Sequence, residues 1–476
     1  MREDPCRVEA LGVLSRFRTD FYDALWNRRD VLFEVTDALL CTDGPVKSLV
    51  DLVLAPEHRR GHGGMYDGLN SGHVEVGQLR RAITALPLPR AAGGRIVLAV
   101  DVSPWLRPSA ATSPDRLFCH TYGRARGTSQ LIPGWPYSWV AALEAGATSW
   151  TAILDAVRLG PTDDAAGITA VQVRGVVERL IAAGHHTTGQ PRILIVVDAG
   201  YDVPRLAFVL ADLPVDVLGR LRCDRVMRLA APPRSAGTVG RPRQHGAQLS
   251  LADPQTWPCP DTTTATETRR YGTATATAWN RVHPELTRRT CWLDHPGNLP
   301  IIEGTLIRLT VDHLPGDRHP KPVWLWISAT DISNTEVDRA WQAYLRRFDL
   351  EHTFRFLKQS LGWTRPVLRS PTTADRWTWL VIAVHTQLRL ARNLTDDLRR
   401  PWEKPAPPGR LTPARVRRGF RHIHRKLTQP AGAPKHSTPG PGRPPGSSNR
   451  HRAPTCDVGK TVKRAKTLAA HKNAKG

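Results

Sequence analysis

Three carboxylates in this 476-residue chain stand where an acid calls for explanation. Asp101 follows the apolar run Ile96-Val97-Leu98-Ala99-Val100, and Asp198 follows Ile193-Leu194-Ile195-Val196-Val197. Glu351 lies in "YLRRFDLEHTFRFLK", Tyr344 to Lys358, where the charged neighbours on its side of a helix are all basic. A near-continuous apolar run signals a strand buried on both faces, so both aspartates are expected to end central strands. Taken singly, each is a turn cap or an exposed strand-end acid. Brought together they repel, unless a cation sits between them. Mg²⁺ meets that need, because it takes oxygen ligands, commonly a few carboxylates plus a substrate phosphate. Two such ions, about 3.5 to 4 Å apart, bracket an in-line displacement at phosphorus, activating a water or 3′-hydroxyl and steadying the leaving oxygen. That chemistry asks for three carboxylates, and Glu351 is the candidate third.

On a helix turning about 100° per residue, Tyr344, Arg347, Glu351, Arg355 and Lys358 share one stripe. Leu350, Phe354 and Leu357 form the apolar stripe beside it, and Asp349 points away from Glu351. Alone, the polar stripe is a solvated face with i, i+4 ion pairs. Beside a metal site it offers cations and a hydroxyl to a phosphate backbone, which makes Tyr344, Arg347, Arg355 and Lys358 candidate DNA contacts. Asp202 reads instead as the cap of a helix beginning at Val203 and Pro204. His120 reads as an ordinary histidine on a strand edge.

Elements to position these groups follow in order. Residues 1–92 carry helical periodicity, either as a helix-turn-helix reader of DNA or as a packing cap for the next domain. Residues 93–229 read as the first part of an α/β core. Its strands are Arg95 to Asp101, Arg116 to Tyr122, Tyr137 to Leu143, Arg192 to Asp198 and Val215 to Arg222, with helices from Ala166 to Ala183 and after Asp202. Residues 230–322 change character: the Thr-rich "TTTATETRRYGTATATAW", "GTLIRLTVDHL" and then "KPVWLWIS" alternate as strands, a β-rich insertion. Residues 323–400 hold one long helix bearing Glu351, and a second from Thr373 to Leu398. Residues 401–476 are too rich in Pro, Gly, Lys and Arg for a core, and read as a largely disordered basic tail with one short amphipathic run.

Lys and Arg number 67 against 43 acids, a net charge of +24 that suits a polyanionic partner. Pro401 to Gly476 contributes +16 of it, so the body ahead is only mildly basic. Arg241 and Arg243 in "GRPRQHG" are candidates for the DNA backbone. The seven cysteines are scattered with no C-x-x-C pair, which argues against a disulfide framework or zinc knuckle and fits a reducing compartment. Met1 to Ala10 is polar and no window is apolar enough to span a bilayer, so a cytoplasmic protein with no membrane partner is expected.

These residues resemble those of bacterial insertion-sequence transposases of the DDE type. Tyr344, Arg347, Glu351 and Lys358 match the Tyr-x2-Arg-x3-Glu-x6-Lys helix signature of that group without a gap, and the acids of "VLAVDVS" and "ILIVVDAGYD" match its two strand-end aspartates. The resemblance covers roughly residues 95–395. It implies an RNase H-like mixed sheet flanked by helices, interrupted by the β-rich insertion, with Asp101, Asp198 and Glu351 as catalytic and metal-binding residues. It further implies two Mg²⁺ ions, with Mn²⁺ able to substitute, and double-stranded DNA partners: the terminal inverted repeats of an element and its target. A homodimer in the DNA complex and a bacterial, nucleoid-associated setting follow from the same likeness. In related enzymes an aromatic residue of the insertion stacks on a base turned out of the duplex; Trp257, Trp279 and Trp292 are candidates by position. The alternative is a domesticated, non-catalytic DNA-binding protein on the same fold, which the presence of all three acids does not favour.

Overall fold

The computed structural model describes residues 5–122, 129–146, 148–233, 243–314, 320–407, 409–435, 444–447, 453–459 and 462–463. Helical periodicity in the first 92 residues yields α1 (Pro5–Asp23), α2 (Arg29–Cys41), α3 (Leu49–Val53), α4 (His62–Ser71) and α5 (Val76–Thr84). The short strands β1 (Leu25–Trp26) and β2 (His73–Val74) pair between them.

The apolar runs ahead build the sheet. In chain order come β3 (Val97–Leu106), β4 (Leu117–Tyr122), β5 (Ser129–Leu143), β6 (Thr151–Arg158), α6 (Ala165–Ala182), β7 (Ile193–Val197), α7 (Val203–Val209) and β8 (Val215–Leu221). β5 runs antiparallel to both β3 and β6, whereas β7 is parallel to both β3 and β8. The order β6-β5-β3-β7-β8 sets the first core strand in the middle, the RNase H-like mixed sheet implied by the resemblance.

The Thr-rich region forms β9 (Val226–Arg228), β10 (Gln248–Ser250), β11 (Thr262–Thr268), β12 (Gly272–Pro284) and β13 (Gly304–Val311), followed by β14 (Val323–Ile327). β14 pairs with β8 on one side and β13 on the other, and β13 pairs with β12. The insertion therefore continues the core sheet. The chain goes on through α8 (Asn334–Arg346), α9 (Phe348–Gln359), α10 (Pro371–Leu390), α11 (Pro413–His424) and β15 (Val462–Lys463), which pairs with β5. No described helix is long and apolar enough to cross a membrane.

Besides β5, which begins at Ser129 rather than Tyr137, and α10, which ends at Leu390 rather than Leu398, three elements depart from the sequence reading. β3 does not end at Asp101 but runs five residues further, because β5 keeps pairing with Val102 to Leu106 after β7 has stopped. Burial along it changes at that point from continuous to alternating, as expected where a strand loses a neighbour. The helix bearing Glu351 is two helices, interrupted at Arg347, where the Leu350 amide bonds the carbonyl three residues back. β6 had no counterpart in the reading at all.

Within the basic tail, α11 folds back onto α2 and α10 and buries Val416, Phe420 and Ile423. Its arginines meet local acids: Arg415 with Asp397, Arg418 with Glu403 and Arg421 with Glu57. Apolar spacing and neutralised charge together anchor this part of the tail; much of the remainder lies outside the described residues.

α10 is buried without interruption from Trp377 to Leu388. His385 lies within that run, its ring 5.9 Å from Trp150 and 6.3 Å from Phe356. Burial, and to a lesser degree Arg389, lowers its imidazole from 6.5 to about 3. The folded chain thus keeps this ring neutral while the unfolded chain takes up a proton. Because the folded value is the lower one, stability is intact above pH 6.5 and declines as pH falls toward 3, by about 1.4 kcal/mol per unit. Urea unfolding at pH 5 should show about 2 kcal/mol less stability from this group than at pH 7. His385→Phe should remove that part of the acid slope; equal slopes in the two proteins would contradict the assignment.

Candidate active site

Asp101 and Asp198 meet because of strand register. The parallel ladder pairs Val97 with Leu194, Leu98 with Ile195 and Ala99 with Val196. Carried on by two residues, it sets Asp101 level with Asp198 on strands about 4.8 Å apart. Buried valines and isoleucines on both sides hold that register, since a slip of one residue would turn every side chain to the opposite face.

α8 and α9 bring the remaining groups to the same end of the sheet. Arg347 is buried, and its Nη1 donates to Asp101 Oδ2 at 2.9 Å. Its Nη2 stands 3.4 Å from Asp198 Oδ2 and 4.0 Å from Glu351 Oε1. One guanidinium therefore faces all three acids. The Tyr344 hydroxyl donates to Asp198 Oδ1 at 3.1 Å, and the Val102 amide donates to Asp101 Oδ1 at 2.8 Å. Exposure is graded: the Asp101 side chain is 21% exposed, against 41% for Asp198 and 44% for Glu351. The cluster is thus more open to solvent on the side of Asp198 and Glu351.

Burial pushes the Asp101 carboxyl up to about 6; Arg347 and the Val102 amide pull it down, and Asp198 and Glu351 add to the rise. Burial likewise raises the Tyr344 phenol to about 12, with Asp198 contributing. For Arg347 burial acts against the charge, but Asp101, Asp198, Tyr344 and Glu351 outweigh it and hold the guanidinium above its ordinary value. Burial lowers Lys358 to about 8, partly offset by Cys119 and Asp101, and its Nζ lies 5.6 Å from the centre of the Trp363 ring.

The helical stripe is therefore only partly a surface. Tyr344 and Arg347 turn inward to the carboxylates, Lys358 is half-buried near Asp101, and Glu351 and Arg355 are exposed. Asp349 does pair away from Glu351, with Arg346. Arg243 is exposed in the insertion, and Arg241 lies outside the described residues. Asp202 caps α7, accepting from the Arg205 amide at 3.2 Å. The three tryptophans are packed: Trp257 lies 6.0 Å from Trp279 and 5.2 Å from Trp324, and Trp292 packs edge-on at 5.3 Å to Phe208.

Two neighbours of the site escaped the sequence reading. The Tyr201 hydroxyl is buried without a hydrogen-bond partner; burial raises its phenol, with Asp101 and Asp198 adding and Arg347 opposing. Its signal was its position three residues after Asp198, on the turn that leaves β7. Arg220, exposed on β8, acts on Tyr344 by charge, and only the sheet order reveals that proximity.

The three acids offer oxygen alone, and they converge from two strands and a helix upon one positive group. Such a donor set fits a hard divalent cation such as Mg²⁺. Among curated proteins no match is found to this chain. Residues 20–285, more than half of it, match the family described as DDE superfamily endonuclease, a span that takes in Asp101 and Asp198 and ends ahead of Glu351. With a family match of that extent over a sheet that sets two aspartates side by side, the chain belongs to the DDE superfamily of endonucleases.

Proposed function

We propose that this endonuclease is a transposase, which hydrolyses the phosphodiester at the ends of a mobile DNA element and joins the freed 3′-hydroxyl to target DNA. The observation that carries the reading is the convergence of Asp101, Asp198 and Glu351 on the Arg347 guanidinium. Asp101, Asp198 and Glu351 would hold two Mg²⁺ ions, or Mn²⁺ in their place; when bound, the metal activates the attacking oxygen and stabilises the leaving one.

The chain's own residues do the rest. Tyr344 and Arg347 hold the two aspartates in orientation, so the acids are in place before DNA arrives. Lys358, half-buried near Asp101, sets positive charge close to the scissile phosphate. Exposed Arg355 and Arg243 would neutralise backbone phosphates on either side, and Arg241 belongs to the same basic stretch. Joining two element ends calls for two copies of the chain on one DNA complex.

The test is cleavage of a duplex carrying an element end, with Mg²⁺ or with chelator, by the full chain and by Asp198→Asn. Free 3′-hydroxyl ends and strand-transfer products are expected from the unaltered chain with metal only. Equal products from both proteins, irrespective of metal, would overturn the reading.

A further inference from the structure

A second cluster of metal-binding side chains lies away from the three acids, where α11 meets the N-terminal helices. Cys41 closes α2, Glu57 stands in the turn between α3 and α4, and His424 closes α11. Their ligand atoms all lie within 4.8 Å of one another. Cys41 is 3% exposed, and the Glu57 and His424 side chains are 8% and 17% exposed. Residues 41, 57 and 424 come from three separate parts of the chain, so only the tertiary fold assembles them.

We propose that Cys41, Glu57 and His424 form a zinc site that clasps the C-terminal helix to the N-terminal helical region. The donor chemistry selects the metal: a thiol and an imidazole suit Zn²⁺, whereas Mg²⁺ and Ca²⁺ prefer oxygen alone. A thiolate, a carboxylate and a neutral imidazole around Zn²⁺ sum to zero charge, which is what a largely buried ion requires. In a tetrahedral site with bonds of about 2.0 to 2.3 Å the ligand atoms stand roughly 3.3 to 3.8 Å apart, so closure needs movements of about 1 Å. Binding breaks the Cys41 S–H bond, forms a sulfur–zinc bond and releases the proton to solvent.

The surroundings agree with that role. The His424 Nε2 is buried without a well-formed hydrogen bond, at 3.1 Å from Asp37 Oδ2. Asp37 itself is held by both Arg18 terminal nitrogens, at 2.6 and 3.0 Å, so a fixed carboxylate stands beside the imidazole, as carboxylates commonly do at zinc-bound histidines. Arg421 contacts Glu57 at 3.0 and 3.4 Å, and it fixes that carboxylate while leaving lone pairs for the ion. The three acids of the active site contain no sulfur, and this makes the two sites spectroscopically separable.

The experiment titrates the chelator-stripped full chain with Co²⁺ as a probe for Zn²⁺. One equivalent is expected to develop a sulfur-to-cobalt charge-transfer band, which Zn²⁺ then erases. Cys41→Ser should lose the band, and His424→Gln should weaken cobalt binding about 10- to 100-fold. Circular dichroism checks that each variant is folded. Hydrogen exchange across residues 413–424 should slow when Zn²⁺ is added to the unaltered protein. Absence of any sulfur-to-cobalt band in the unaltered protein, or a band that survives in folded Cys41→Ser, would overturn the proposal.

Discussion

Glu351→Gln is expected to lower the rate of metal-dependent end cleavage about 10³-fold or more while leaving DNA binding within a few-fold. Glutamine keeps the length, the helix propensity and one acceptor oxygen, so α9 and its packing should survive. What would disappear is one of the three negative charges proposed to hold a divalent cation, and a metal's share in stabilising charge at the transition state is worth several kcal/mol. At about 1.4 kcal/mol per factor of ten, that converts to at least three orders of magnitude. If binding rests on cations along the backbone, as proposed, fluorescence anisotropy on labelled duplex should change little. Single-turnover cleavage is the deciding measurement. Wild-type rates in Glu351→Gln would remove Glu351 from the site, although it faces Arg347 at 4.0 Å.

Asp155→Ala should cost about 3 kcal/mol of folding stability, at a residue away from the candidate site. Asp155 is buried in β6 and accepts from Arg80 of α5 at 3.0 and 2.8 Å and from Arg179 of α6 at 3.0 Å. Truncation leaves two guanidinium groups, each about three-quarters buried, without the carboxylate they share, and only Arg179 keeps a weaker pull, from Glu178. Losing a buried partner is costly because the remaining charge stays desolvated. Asp155→Asn should fall between, since it keeps an acceptor but not the charge. A shift in the urea midpoint reads out all three proteins, and a midpoint unchanged in Asp155→Ala would show that the two arginines find water instead.

That same carboxylate explains why β6 was hard to read. "TAILDAVR" carries two charges in eight residues and no period of two, so it resembles a helix fragment or a loop as much as a strand. Its strand state depends on pairing with β5 and on arginines that come from 75 residues before and 24 after. By contrast β7 and β8 were legible to within a residue and β14 to within two, because apolar residues dominate each run, whereas β13 ends three residues before the stretch read as a strand. α6 was legible through its period, and α7 through its Asp202 cap with proline at the first turn.

At the candidate site, residue types and order were readable while roles within the cluster were not. A helical wheel treats Tyr344, Arg347, Arg355 and Lys358 as one outward stripe. The interruption at Arg347 and the packing of α8 on β7 and β8 turn the first two inward, where they bond carboxylates. Periodicity reports which residues share a face but does not say which neighbour covers it.

From the chain alone came the class of fold, the two aspartates on apolar strands, the acid among bases, and the concentration of positive charge beyond Pro401. These are local properties, set by burial pattern, spacing and charge within a few residues. Only the tertiary structure decided that Asp101 lies level with Asp198, that Arg347 joins three acids, that the insertion extends the core sheet, and that α11 brings His424 to Cys41 and Glu57. Each of these depends on strand register or helix packing between segments far apart in sequence, and the free energy that selects them resides in those long-range contacts.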